Sequence, residues 1–172
     1  MRSTTPNLDW LVLDAGPLIQ LDRLGYVSHL SKLYDKVFLP PAVAHELRQG
    51  TDLPGSRAPY LPWFERRPAS PNVLARVRRE LQAGMGEQEA VALALELSAT
   101  VALDDRKARG YARQLGMSLT GTLGLLIELH ARKLASRTPA EDIDLLAASG
   151  MRLTPQLRAA ALGVMTSATT KG

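Results

Sequence analysis

Three short runs of apolar residues carry no polar alternation: Leu11-Val12-Leu13, Val37-Phe38-Leu39 and Val101-Ala102-Leu103. A strand wetted on one side alternates between core and solvent. A strand covered on both sides has no need to. Such runs call for a sheet with helices on both faces. The stretches between them have helical spacing, so the chain reads as α/β with a mainly parallel sheet. Two of the runs end on carboxylates. Leu13 leads into Asp14 and then Ala15-Gly16-Pro17, and Leu103 leads into Asp104-Asp105. In open α/β sheets ligands bind at the C-terminal ends of the strands. Aspartate is also a favoured helix N-cap, so Asp14 alone fits either role.

The remaining elements follow from punctuation and periodicity. Residues before Leu8 read as a loose end. Leu18 to Leu24 is a helix stopped by Gly25. Tyr26 to Tyr34 is a second short helix with Val27, Leu30 and Leu33 on one face, and His29 reads as a surface residue. Lys36 to Leu39 is a strand. Pro40-Pro41 ends it and opens a helix from Ala42 to Arg48, with Glu46 beside its apolar stripe. Gly50 to Ser56 is a loop, and Tyr60 to Glu65, which contains Pro62, is an edge strand or extended segment. Helices follow at Asn72 to Gln82 and Glu87 to Ser98. The second is nearly all Ala, Leu and Val, so it should be buried on most sides. Thr100 to Leu103 and Met117 to Thr120 are strands flanking a basic helix, Arg106 to Leu115. Gly121-Thr122-Leu123-Gly124 opens a helix to about Lys133. Its first turn suits a phosphate or a simple cap, and it is not a P-loop because no Gly-Lys-Ser/Thr follows. Pro139 to Ala148 is helical, with Ile143, Leu146 and Ala147 inward. Thr154-Pro155 begins the last helix, and 166–172 reads as a flexible polar tail. With no linker or repeat, residues 1–172 form one domain, with an ordered core over about 8–165.

Composition narrows the chemistry. Hydrophobic residues are 45% of the chain, which places it among globular proteins. It has no cysteine, so disulfides, thiolate catalysis and cysteine-based zinc sites are excluded. A metal would be held by carboxylates or by the three histidines. No signal peptide or membrane-spanning run is evident, and a cytoplasmic location is expected. A net charge of +4 and a pI near 9.7 point towards an anionic partner such as nucleic acid.

Four acidic positions then draw attention together. Asp14 and Asp104/Asp105 follow strands, while Glu46 and Glu87 lie on helices. Glu87 continues the stripe of Ala90, Val91 and Ala94, and a carboxylate on a buried stripe is costly unless paired or metal-bound. An acid in a helix's first turn is also favoured by the helix dipole. Parallel strands share one C-terminal edge, so these acids would converge and repel. Divalent cations relieve such repulsion, and oxygen-only ligands select Mg²⁺ or Mn²⁺. Ions held in this way can activate water and stabilise the leaving oxygen in phosphodiester cleavage.

The motifs Leu13-Asp-Ala-Gly-Pro-Leu-Ile19, Leu39-Pro-Pro-Ala-Val-Ala-His-Glu-Leu47 and Gly86-Glu-Gln-Glu-Ala-Val-Ala-Leu-Ala94 occur in that order. Leu103-Asp-Asp-Arg-Lys-Ala-Arg109 and Thr120-Gly-Thr-Leu-Gly-Leu-Leu126 follow them. Together they resemble the PIN-domain ribonucleases, in particular the DUF3368-type branch related to VapC-like toxins of toxin–antitoxin pairs. The resemblance spans most of the chain. It implies a three-layer α/β/α fold and Mg²⁺- or Mn²⁺-dependent endoribonuclease activity. The implied partners are RNA, an antitoxin protein and a second copy of the chain as a homodimer, with no membrane. It assigns Asp14, Glu46, Glu87 and Asp105 to catalysis. Asp14, Glu87, Asp105 and Asp104 are the implied metal ligands, with Glu89 a further candidate. Thr122, Arg106 and Arg109 would hold the substrate phosphate. Where many PIN domains read Thr-Asn-Asp or Thr-Arg-Asp, this chain reads Leu103-Asp104-Asp105, so either aspartate can be the ligand. Arg66, Arg67 and Lys107 add positive charge around the acidic edge.

Two readings of other classes compete. One is a PIN-like scaffold that binds RNA or a protein without cutting. The other is an aspartyl-phosphate enzyme using Asp14. Gly16 stands where its phosphatase version needs a second acid.

Overall fold

The computed structural model describes residues 7–50 and 53–170. Among these, β1 (Asn7–Leu13), β2 (Lys36–Leu39), β3 (Phe64–Arg66), β4 (Ala99–Ala102) and β5 (Leu119–Thr120) form one sheet in the order β3-β2-β1-β4-β5. Every strand pair is parallel. The proline-containing segment supplies β3 at one edge, where a strand needs only one partner.

The helices are α1 (Ala15–Leu24), α2 (Leu30–Leu33), α3 (Pro41–Gln49), α4 (Pro71–Glu80), α5 (Met85–Leu97), α6 (Arg106–Gln114), α7 (Thr122–Ala131), α8 (Pro139–Ala148) and α9 (Pro155–Thr170). Side chains alternate across the strands, and those of β1, β2 and β4 meet a core on either side. Leu11, Leu13, Val37 and Leu39 pack with α1, α3, α7, α8 and α9. Val12, Phe38, Val101 and Leu103 pack with α4, α5 and α6. Both sides of β1 are dry, which is why its sequence shows no alternation. The result is the three-layer α/β/α arrangement expected from the sequence.

Several boundaries differ from the sequence reading. β4 ends at Ala102, β5 is two residues long, and α7 ends at Ala131. Residues 166–170, read as a tail, continue α9. The expected loose end and the loop after Gly50 fall partly outside the described residues, at 1–6 and 51–52. Tyr26 to Tyr34 splits into a 3₁₀ turn (Val27–His29) and α2. His29 is half-buried rather than exposed. Its Nδ1 is enclosed without a hydrogen-bond partner, and its ring stands edge-on to Tyr26 at 5.9 Å.

A buried polar knot locks the far side of the domain. Asp142, fully buried, accepts from the Tyr26 hydroxyl at 2.9 Å and lies 2.8 Å from His130 Nε2. It also accepts from Arg137 Nη1 at 3.2 Å. Arg137 in turn donates to Leu24 O, so the ends of α1 and α7 and the start of α8 are tied together. Ala147, expected to face inward, is exposed, and Asp142 takes the inward position alongside Ile143 and Leu146.

No helix among the described residues is long and apolar enough to cross a membrane.

Candidate metal centre

The strand order reverses direction around β1. One connection leads from β1 to β2 on one side, and β4 lies on the other. At such a switch point the loops leaving neighbouring strands part and open a crevice at the C-terminal edge. Asp14 leaves β1 there, with its amide bonded to Ala102 O of β4 at 3.2 Å. Asp104 leaves β4 two residues beyond the last paired position.

Asp14 occupies the N-cap position of α1, yet its side chain makes no capping hydrogen bond. It is only 5% exposed. Burial, then the charge of Glu87 and to a lesser degree that of Glu46, pushes its carboxyl up to about 7. The amides of Ala15 and Gly16 at the start of α1 pull the other way without overcoming this. A carboxylate held in so unfavourable a setting, and not used as a cap, is better explained by a cation than by helix capping.

Two glycines bring the other acids close. A methyl group on Gly86 would lie 2.9 Å from Glu46 Oε2 and 3.3 Å from Asp14 Oδ1. One on Gly16 would lie 3.7 Å from both Asp14 Oδ2 and Asp104 Oδ2. Asp14 thus presents one oxygen towards Glu46 over Gly86 and the other towards Asp104 over Gly16. Glu87, in the first turn of α5, acts on both Asp14 and Glu46, and Glu46 is also raised, by burial and then by Glu87. Among the described residues no three acidic or histidine side chains close into a ready-made metal cage. The donor set is oxygen-only, converging and mutually repelling, and the glycine floor leaves space between the carboxylates. That arrangement fits a hard divalent ion that keeps some of its own water.

The structure separates the two adjacent aspartates. Asp104 is half-buried, accepts the Thr122 amide at Oδ1 (2.9 Å) and the Thr122 hydroxyl at Oδ2 (2.5 Å), and adjoins Gly16. Asp105 is exposed and caps α6, its Oδ1 accepting the Ala108 amide at 2.8 Å. Of the two, Asp104 is the one placed beside Gly16 and Asp14, while Asp105, the expected match to the family pattern, is turned to the start of α6. The first residue after an apolar run inherits the strand's direction, while the second turns to start the helix. Glu89 is likewise diverted. It is buried, and its Oε2 accepts the Ala42 amide at 2.5 Å, satisfying a free N–H in the first turn of α3. Glu87, on the expected stripe, is close enough for its charge to act on Asp14 and Glu46, but Glu89 is the more deeply buried of the two.

The expected phosphate-holding residues divide in the same way. Thr122 is fully buried, and its hydroxyl is engaged by Asp104. Arg109 Nη1 donates to Leu103 O at 2.6 Å and Thr120 O at 2.9 Å, clamping the ends of β4 and β5. Gly121 permits this closeness, since a methyl group there would sit 2.8 Å from Leu103 O and 2.9 Å from Asp104 Oδ1. Arg106 and Lys107 are exposed at the start of α6. Arg66 donates to Pro59 O, and Arg67 lies 3.6 Å from Glu96. Sequence reasoning missed the Thr122–Asp104 pairing, although the small residues around Thr122 were a signal of close packing there.

A family model described as DUF3368: PIN domain matches residues 10–167. The match runs from the β1 residue Trp10 into α9 and contains every acid named above. No curated protein matches the chain.

Proposed function

Because the chain belongs to the PIN-domain family, whose members are generally nucleases and typically use divalent metal ions, we propose that it is a Mg²⁺- or Mn²⁺-dependent endoribonuclease. The observation that carries this reading is Asp14. It is a buried, non-capping carboxylate set between Asp104 and Glu46 at the sheet's switch point.

In this reading Asp14, Asp104 and Glu87 hold the ion, and Glu46, the most exposed of the four, helps hold it or positions the attacking water. When bound, the ion supplies Lewis acidity to the phosphate and lowers the pKa of water. Thr122 keeps both oxygens of Asp104 aimed, and Arg109 keeps the β4 and β5 ends at the spacing that aiming requires. Arg106 and Lys107 attract the strand electrostatically, so RNA affinity should fall steeply with salt. The branch resemblance supports a role as the toxic member of a toxin–antitoxin pair, acting as a homodimer.

The deciding experiment is RNA cleavage by the pure protein in Mn²⁺, beside EDTA and Asp14→Asn controls. Cleavage should need the metal and fall by orders of magnitude in the variant. A fully active Asp14→Asn protein would remove the metal-nuclease reading, and RNA binding without cleavage would favour the non-cutting scaffold.

A further inference from the structure

A cavity adjoins Asp104. It lies at the outer edge of the sheet, where the end of β5 and the first turn of α7 meet the corner between α8 and α9, and measures about 360 Å³. That is within the ~300–1,000 Å³ usual for small-ligand sites. Its lining is of two kinds. Leu119, Leu123, Met151 and Leu157 are apolar, and Leu157 is 45% exposed. Arg109 and Arg152 are cations. Asp104 forms the wall shared with the proposed metal centre, held there by Thr122. Arg109 is turned to backbone carbonyls, whereas Arg152 is exposed at the rim.

An apolar surface with a cation at its rim, sharing a wall with a phosphodiester-cleaving centre, matches a nucleotide. The base offers a flat apolar face and the phosphate a charge. We infer that this cavity is a subsite for one nucleotide of the RNA, with the base against Leu123, Met151 and Leu157 and its phosphate towards Arg152. The inference rests on the ribonuclease reading. A base offers its face only when unstacked, so the strand entering here is single. Aliphatic contact with a base face favours no particular base, so the subsite selects an unpaired nucleotide rather than a sequence.

The test uses a short single-stranded oligoribonucleotide and an abasic strand of the same length, binding measured in EDTA so that nothing is cut. The variants are Leu157→Ser, Leu157→Phe and Arg152→Ala. Leu157 is partly exposed, so its substitutions should not unfold the domain, and thermal melts with and without Mn²⁺ check this. Leu157→Ser should weaken the normal strand roughly tenfold and leave the abasic strand unchanged. Leu157→Phe should tighten the normal strand, because an aromatic ring stacks better than an alkyl chain. Arg152→Ala should weaken both strands. Wild-type cleavage of the same strand in Mn²⁺ tests the ribonuclease reading separately. Unchanged affinities in all three variants, with cleavage intact, would overturn the subsite and leave that reading standing. Absence of both binding and cleavage by the wild type would overturn both.

Discussion

Thr122 holds Asp104 twice, its amide on Oδ1 at 2.9 Å and its hydroxyl on Oδ2 at 2.5 Å. The first residue of α7 thereby fixes a carboxylate that leaves β4, and both oxygens are aimed from one side. Thr122→Val keeps the shape and removes one of the two bonds. It should lower stability by ~1.5–3 kcal/mol, as loss of a hydrogen bond to a charged group does, and weaken the Mn²⁺-induced rise in melting temperature. Thr122→Ser should restore the metal response. Equal metal responses in Val and Ser variants would mean that the hydroxyl only fills space.

Asp104 and Asp105 should part company on conservative substitution. Asparagine caps helices about as well as aspartate, so Asp105→Asn should keep both stability and RNA cleavage. Asp104→Asn should keep the fold and lose metal-dependent cleavage. Parallel melts and cleavage assays decide the matter, and an inactive Asp105→Asn protein would return that residue to the metal site.

Asp14 gives the metal-free protein a distinctive pH dependence. Its carboxyl is raised from 3.8 to about 7, chiefly by burial and then by Glu87. Between those values the folded chain keeps a proton that the unfolded chain releases. Stability therefore falls as pH rises through this window, by about 1.4 kcal/mol per pH unit at most, and the loss is complete above about 7. Asp14→Asn should flatten the slope and be the more stable protein at pH 8 without metal. Denaturant melts from pH 4 to 8 in EDTA test this. A wild-type slope unchanged in the variant would place the titration elsewhere.

Gly86 should separate stability from function. In α5, alanine is the better helix former by up to ~1 kcal/mol. Its methyl would lie 2.9 Å from Glu46 Oε2 and 3.3 Å from Asp14 Oδ1, and the flexible Glu46 end can yield. Gly86→Ala should therefore stay folded, with a melting temperature close to the wild type's, while losing its response to Mn²⁺ and its cleavage. Retained metal response would show that the floor of the cluster is not the binding space.

The buried knot offers a purely structural comparison. Asp142→Ala removes the one carboxylate shared by Tyr26, His130 and Arg137, and should destabilise the fold by roughly 3–5 kcal/mol. Chemical denaturation is the measurement, and a loss much below this would mean that the partners find other acceptors.

Much of the architecture was legible in one dimension because it depends on local spacing. Unbroken apolar runs such as Leu11-Val12-Leu13 required a sheet covered on both faces. Glycines and prolines such as Gly25 and Pro41 marked helix ends. A carboxylate directly after a buried strand had to emerge at the strand's C-terminal edge, so Asp14 was located before any contact was known. Ordered motifs also carried the family resemblance, which the match over residues 10–167 bears out.

Which neighbour each polar group meets was decided only in three dimensions. Asp104 and Asp105 are adjacent and chemically identical, yet one turns to Thr122 and Gly16 while the other turns to Ala108. Glu87 and Glu89 share one helix, but only Glu89 reaches the Ala42 amide of a helix far away in sequence. Thr122 and Arg109, expected at a phosphate, meet Asp104 and the Leu103 carbonyl at the strand ends. Asp142 gave no hydrophobic signal at all, since its partners Tyr26, His130 and Arg137 come from three separate stretches of the chain. Hydrophobic period is a property of consecutive residues and survives in the sequence. A hydrogen bond depends on distance and angle between groups that folding alone brings together, so the partners of these side chains belong to the tertiary structure.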